Sequence, residues 1–231
     1  YGVDVEFDAI EIAKLRLWLS LIVDQESTTQ APNPLPNLNF HLRVGNSLVD
    51  NYQGISLWNK KWRSQKNKSE KVMQMNLFNT DTINSILFRW KEAKNKLFTT
   101  KDEKEKEILL SSIEREQLEL IRAELVGQGK YEVFDQVNEM IKKKTKPFFI
   151  WDIEFDEVFE NDGFDIVIAN PPYVQLQKDE GKLANQLKDQ GYKSFARTGD
   201  IYCLFYEKAI SLLKRDGVAT YITSNKWMRA G

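Results

Sequence analysis

The sequence predicts an α/β protein, an open sheet flanked by helices and interrupted by a large helical insertion. Three observations predict it. Short apolar runs alternate with helical periodicities at both ends of the chain, which is the strand–helix–strand order of an open parallel sheet. Polar residues gather where those runs stop, and that is where such sheets bind ligands. The middle also differs in charge: residues 51–150 carry 20 basic and 14 acidic side chains, the remainder 13 and 20. The net charge of −1 therefore argues against a wholly basic nucleic-acid binder while hiding a basic middle in an acidic frame. That contrast points to two structural parts, with a polyanion lying against one of them.

Each element follows in order. Tyr1–Val5 reads as a short strand that stops at acids; the chain lacks an initial Met and opens mid-strand, so an excised piece of something longer is expected. Residues 8–23 set Ile10, Ala13, Leu17 and Leu21 on one stripe, widened by Ile12, Leu15, Trp18, Leu19 and Ile22. So broad an apolar face predicts a helix buried on much of its circumference. Ser27 to Thr29 and three prolines (Pro32, Pro34, Pro36) make residues 25–37 a loop. Phe40–Val44 resumes as a strand and ends in Gly45-Asn46-Ser47-Leu48.

Residues 51–146 form the predicted insertion. Within it, 81–98 (Ile83, Ile86, Leu87, Trp90, Leu97), 102–126 (Leu110, Ile113, Leu120, Ile121, Leu125) and 131–143 (Phe134, Val137, Ile141) have helical spacing. Gly127 and Gly129 stop the second helix. The run Gly127-Gln128-Gly129-Lys130 lacks the spacing, the Ser/Thr and the preceding strand of a phosphate loop. Residues 1–50 and 147–231 make the core. There Phe164–Ala169 suits a parallel sheet, 200–214 is a helix, Asp216-Gly217 a turn and Val218–Thr223 a last strand.

Cys203 is the only cysteine and His41 the only histidine. No disulfide framework, Cys-based zinc cluster or His-rich metal site is expected, nor a Ser-His-Asp triad. Cys203 falls on an apolar helical face, where core is the simplest reading, and His41 falls in the strand before Gly45. With no apolar run long enough to span a bilayer and no signal-like N-terminus, a soluble cytoplasmic protein is expected.

An acid that closes a strand before a helix suits two hydrogen bonds to ribose hydroxyls. Asp4 fills that position, with Glu6 beside it; a solvated strand-end carboxylate explains either as well. Asn46 offers a carboxamide to an adenine edge, and is equally a turn residue after Gly45. Asn170-Pro171-Pro172-Tyr173 is more pointed. Two prolines fix φ and remove two N–H donors, which holds the Pro171 carbonyl outward. With the Asn170 carboxamide beside it and the flat face of Tyr173, the loop offers two acceptors and a ring to a planar NH2 group. The bland alternative, a Pro-Pro turn, loses ground because the loop directly follows an apolar strand. Asn225, after the last strand, completes the polar residues at the strand ends.

The run FDIVIANPPY, Phe164–Tyr173, resembles motif IV of S-adenosylmethionine-dependent amino-group methyltransferases, in the form found in DNA adenine-N6 enzymes. YGVDVEFDAIEIAKLRLWLSL is similar to the motif II region, GNSL to motif III, and GDIYCLFYEKAISLLKRDGVATYITSNKW to motifs V and VI. The ordered set is specific. It looks most like the methylase domain of large single-chain type IIG restriction–modification enzymes, which carry a helical insertion before motif IV. The resemblance implies S-adenosylmethionine as cofactor, its ribose held by Asp4 (Glu6 being the neighbour) and its adenine by Asn46. It implies a target-adenine pocket of Asn170, Pro171, Pro172 and Tyr173, double-stranded DNA as partner, and neither metal nor membrane. The glycine-rich motif I is expected before Tyr1 and a target-recognition domain after Gly231, so this stretch alone is expected to be inactive and to rely on flanking domains of the same chain.

The implied reaction is methyl transfer to the N6 amino group of adenine in DNA. Methylation of RNA bases or of a protein glutamine amide is the second enzyme reading, and a non-catalytic scaffold that docks DNA a third. Trp58 and Trp62 lie among Lys60, Lys61, Arg63, Lys66 and Lys68, a mixture that suits contact with phosphates and bases. Lys60, Lys61 and Arg63 are therefore candidate DNA contacts; a solvated linker anchored by its tryptophans explains the same residues.

Overall fold

The structure is a computed structural model that describes residues 1–23, 38–58, 77–100, 102–143 and 147–225. Lys60, Lys61 and Arg63 lie outside the described residues. The chain divides into two compact units, Tyr1–Val44 with Ser56–Pro147, and Gly45–Ile55 with Phe148–Gly231.

In the first unit, β1 (Gly2–Asp4) and β2 (Leu42–Val44) pair in parallel, Gly2 opposite Leu42 and Asp4 opposite Val44. A three-residue β1 can pair with only three partners. The strand expected from Phe40 accordingly begins at Leu42, and Leu38–His41 winds into a helical turn, α2. His41 ends that turn, its ring 4.9 Å from that of Tyr1. Helix α1 (Phe7–Val23) forms as its spacing predicts, but Ile10 is its one buried residue among those described. Ile12, Leu15, Leu17, Leu19, Leu21 and Val23 are exposed, because the described residues place no layer against that flank.

Helices α3 (Leu77–Thr99) and α4 (Glu103–Gly127) are joined by three residues and fold back on each other. Ile83, Ile86, Trp90, Ala93 and Leu97 of α3 are buried, as are Ile113, Leu120, Ile121 and Leu125 of α4. Those positions recur at three and four residues, one face of each helix. Asp102 caps α4, accepting from the Lys104 and Glu105 amides. At the other end Gln128 donates back to carbonyls of the last turn and Gly129 takes φ +70°, which makes the Gly-Gln-Gly run a helix stop. Arg89 reaches across to Glu116 with Nη2 at 2.9 Å and Nε at 3.2 Å, so this nearly buried carboxylate is not left unpaired. Helix α5 (Tyr131–Lys142) adds buried Val133 and Val137.

The second unit is organised around β5 (Phe164–Ala169) and β6 (Leu213–Tyr221), parallel from Ile166 opposite Val218 to Ala169 opposite Tyr221. Two single-turn helices, α6 (Trp151–Glu154) and α7 (Asp156–Phe159), precede β5 and were not read from the sequence. An aromatic cluster runs through and beside them: Phe149, Trp151 and Phe155 lie with ring centroids 5.2–5.7 Å apart, and Phe159 meets Phe164 at 5.7 Å. Gly163 turns the chain into β5 at φ +117°, and a Cβ there would stand 2.5 Å from the Leu212 carbonyl. Only glycine meets both conditions.

Helix α8 (Lys182–Leu187) and helix α9 (Tyr202–Leu212) follow β5. The turn expected at Asp216-Gly217 falls inside β6, as an irregularity in its pairing with β5. Pairing jumps from Phe164–Leu213 to Ile166–Val218, with Asp216 at φ +67°. Burial of β5 also differs from expectation. Ile166 and Ile168 are 63% and 74% exposed, and Val218 and Ile222 are exposed too. Cys203 is half-buried. Asn51–Tyr52 (β3) and Ile55–Ser56 (β4) form a small hairpin whose central residues, Gln53 and Gly54, both have positive φ. No helix among the described residues is long and apolar enough to cross a membrane.

Candidate functional site

Asp4 closes β1 and is exposed. Its Oδ1 accepts the Glu6 amide at 2.9 Å, a local turn that carries the chain toward α1. Oδ2 stays outside that bond. Glu6, also exposed, has its carbonyl engaged as acceptor for the Ile10 amide of α1.

Asn46 is half-buried in the second unit, where its Oδ1 accepts the Leu48 amide at 3.1 Å. The oxygen keeps a second lone pair and the amide nitrogen keeps its donors, so the carboxamide can still read both an acceptor and an amino group. Gly45 before it is pressed on Phe149: a Cβ would lie 2.3 Å from Cδ2 of the ring. After it, the backbone from Ser47 to Asn51 is bonded by Phe149, Trp151, Gln190 and Tyr192, and the Asp50 carboxylate by Lys208. None of these partners was read from the sequence as a site residue. Each lies some hundred residues or more along the chain from the loop and four bond its backbone, so no spacing pattern marks them.

The Asn170–Tyr173 loop leaves β5 with both ends tied. The Ala169 carbonyl accepts the Ile222 amide at 3.2 Å; beyond the loop the Val174 carbonyl accepts from Ile201 and the Leu176 amide donates to Gly199, each at 2.9 Å. Gln175 bridges Asp200 as an isolated antiparallel pair. Between those anchors Pro171 is buried, while Asn170, Pro172 and Tyr173 are exposed, Tyr173 at 54%. Among the described residues, neither the Asn170 carboxamide nor the Tyr173 hydroxyl has a hydrogen-bond partner. The loop is thus fixed in backbone and open in side chain.

Helix α9 carries further hydrogen bonds. The Tyr206 hydroxyl shares a 2.9 Å bond with that of Thr223, and the Tyr221 hydroxyl donates to the Phe205 carbonyl at 3.2 Å. Burial, with Tyr206 adding, pushes the Tyr221 phenol up to about 12. Glu207 accepts the Lys193 and Ser194 amides and the Ser194 hydroxyl at 2.7–2.9 Å, which closes the segment that leads to Gly199.

The whole chain, residues 1–231, matches the family described as Eco57I restriction-modification methylase. A putative type II restriction enzyme and methyltransferase of Methanocaldococcus jannaschii is 28% identical over 266 aligned residues, 96% of this chain and 21% of that protein. A type II methyltransferase of Pseudomonas aeruginosa is 30% identical over 66 residues, 29% of this chain and 11% of that protein. The chain thus spans about a fifth or less of the length of the relatives it matches. No solved structure matches it.

Proposed function

Starting from the fact that the chain belongs to the Eco57I restriction-modification methylase family, we propose that it carries the methyl-transfer site of a type IIG DNA methyltransferase specific for adenine N6. In this reading residues 1–50 and 147–231 are the core, with a Rossmann-like sheet, and residues 51–146 are the insertion. One observation supports it above the rest: an Asn-Pro-Pro-Tyr loop tied at one end to the β5–β6 pair and at the other to the Gly199–Ile201 segment before α9, with the Asn170 and Tyr173 side chains exposed and unpartnered among the described residues.

The donor set fits S-adenosylmethionine. Asp4 keeps one carboxylate oxygen outside its local turn, which suits ribose hydroxyls, and Glu6 stands next to it. The Asn46 carboxamide suits the adenine edge, its oxygen having one lone pair beyond the Leu48 bond. When bound, that cofactor supplies an electrophilic sulfonium methyl group.

The chain's own residues do the rest. The amino nitrogen of adenine is a weak nucleophile because its lone pair is delocalised into the ring. The Asn170 carboxamide and the Pro171 carbonyl accept its two hydrogens and draw it toward a tetrahedral shape, which frees the lone pair for in-line attack. Buried Pro171 and its neighbour Pro172 keep those acceptors from relaxing. Inside a duplex this nitrogen is out of reach, so the base is flipped out and Tyr173 stacks on it.

The test is single-turnover methylation of duplex DNA by the full-length protein with a labelled methyl donor. Asn170→Ala removes an acceptor that matters most as positive charge builds on nitrogen, so the rate falls about 10²–10³-fold, by analogy with lost oxyanion donors, while DNA affinity changes little. Label recovered in cytosine, in RNA alone or in a protein amide, or an Asn170→Ala rate equal to wild type, would overturn it.

A further inference from the structure

The segment that follows Asn46 is held by side chains that the proposed chemistry does not use. Its carbonyls are taken in turn: Ser47 by the Trp151 indole N–H at 3.0 Å, Leu48 by the Tyr192 hydroxyl at 2.8 Å, and Val49 by the Phe149 amide at 2.6 Å. Gln190 then covers both sides of the next peptides. Its Oε1 accepts the Asp50 and Asn51 amides at 3.1 and 3.0 Å, and its Nε2 donates to the Asn51 carbonyl at 3.1 Å. The Lys208 ammonium, 7% exposed, sits 2.8 Å from Asp50 Oδ2. Leu48 and Val49 are buried beneath.

Water could satisfy these groups in an ordinary surface loop. Here a buried lysine, a phenol and a carboxamide are committed to one stretch of five residues. The residue directly before that stretch is Asn46. Its carboxamide accepts the Leu48 amide while the Leu48 carbonyl accepts from Tyr192, so a single residue, Leu48, links the Tyr192 hydroxyl to the Asn46 side chain. Burial pushes the Tyr192 phenol well up, with Asp50 and Glu207 adding, so it remains a donor throughout the working pH range.

We infer that Gln190, Tyr192 and Lys208 are positioning residues for the cofactor contact at Asn46, holding its loop in the binding conformation before the cofactor arrives. They touch no reacting atom. A loop that visits the competent conformation only part of the time binds with its affinity reduced by that fraction, and the clamp removes that loss. The inference rests on the reading that Asn46 meets the adenine of S-adenosylmethionine.

The experiment uses full-length wild type, Tyr192→Phe, Lys208→Met, Lys208→Arg and Gln190→Glu. Binding of S-adenosylmethionine is measured by calorimetry, the single-turnover rate at saturating cofactor by methyl transfer, and backbone exchange of residues 46–51 by mass spectrometry. Tyr192→Phe and Lys208→Met raise the cofactor KM and Kd about 5- to 30-fold and speed exchange in 46–51. The saturated rate stays within about threefold of wild type and DNA affinity is unchanged. Lys208→Arg restores most of the affinity, since the charge on Asp50 is still met. Gln190→Glu keeps the acceptor and loses the donor, a milder version of the same shift that serves if Lys208→Met fails to fold. Unchanged cofactor affinity in folded variants would overturn the inference and leave the functional reading standing, as would a loss of saturated rate and DNA affinity equal to the loss of cofactor affinity. A wild-type protein that binds no S-adenosylmethionine would overturn the functional reading and this inference together, even where exchange showed the loop to be clamped.

Discussion

Replacing Gly45 with alanine probes the root of the Asn46 loop by exchanging one hydrogen for a methyl group. That carbon would stand 2.3 Å from Cδ2 of Phe149, 2.9 Å from Cγ and 3.0 Å from Cβ. Carbon atoms attract at about 3.5–4.0 Å, so the nearest contact lies roughly 1.2 Å inside the minimum. Phe149 has no room to yield: it is 0% exposed and packed on Trp151 and Phe155. Overpacking of this kind costs about 1–3 kcal/mol, and three close atoms on one ring put it toward the upper end. Gly45 is not among the positive-φ residues, so backbone strain adds nothing. The lost freedom of the unfolded chain returns about 0.4–1 kcal/mol. The net is about 1–2.5 kcal/mol, or roughly 2–10 °C in the melting temperature of the unfolding transition of a domain of this size.

The assay is thermal and denaturant unfolding of full-length wild type, Gly45→Ala, Phe149→Leu and the double variant. Phe149→Leu alone is destabilising because it leaves a void. Together the two changes are less harmful than their sum by about 1 kcal/mol or more, since the smaller side chain vacates the space that the new methyl group needs. Cofactor affinity falls in Gly45→Ala because Asn46 is the next residue. A melting temperature within about 1 °C of wild type, or strict additivity in the double variant, would refute the packing argument.

Tyr173→Ala removes the stacking face, about 1–3 kcal/mol, and destabilises the flipped base, whereas Tyr173→Phe is mild; a fluorescent adenine analogue at the target reports flipping apart from transfer. Burial opposes the charge on Glu207, but hydrogen bonds from the Lys193 and Ser194 amides and the Ser194 hydroxyl outweigh it and hold the carboxyl below its ordinary 4.5. Its stabilising effect is therefore fully present above that value and fades as pH falls through the lowered one. Melting temperatures of wild type and Glu207→Gln across pH 3–7 should differ most at the neutral end and converge in acid; a constant gap would contradict the assignment. Neutralising Lys60, Lys61 and Arg63 weakens DNA binding at all sequences and flattens its salt dependence, and an unchanged slope would make that segment a spacer.

What the sequence disclosed and what it withheld divide by range. Helices α3 and α4 were legible because their apolar residues repeat every three to four positions and their ends carry Asp102 and Gly129. Strand β5 was legible to the residue, since a run of six, apolar but for Asp165, between Asp-Gly and Asn-Pro has little choice. The length of β2 was not, because it is set by how many residues β1 offers. The exposed flank of α1 was not either: periodicity states how broad an apolar face is, and says nothing of what lies across it. In the site, the Asn-Pro-Pro-Tyr loop was visible as a local run. The partners of the Asn46 loop were hidden, since Gln190 and Lys208 act on residues 139 and 158 positions away.

Helix α9 shows why such partners escape a reading of pattern. Three consecutive residues on it bond three different segments. Tyr206 meets Thr223 past the end of β6, Glu207 holds the Lys193–Ser194 amides, and Lys208 holds Asp50. Successive side chains on a helix point about 100° apart, so three in a row cover most of the circumference and cannot share one polar face. An amphipathic pattern would count Lys208 as misplaced, a charge beside buried Ala209. Its burial makes sense only when the carboxylate of Asp50 is known to stand 2.8 Å away, because a lysine at that depth without a partner would be expelled or neutralised. A charge that breaks a helical pattern is thus a pointer to a distant partner, and here it points to the loop that carries Asn46.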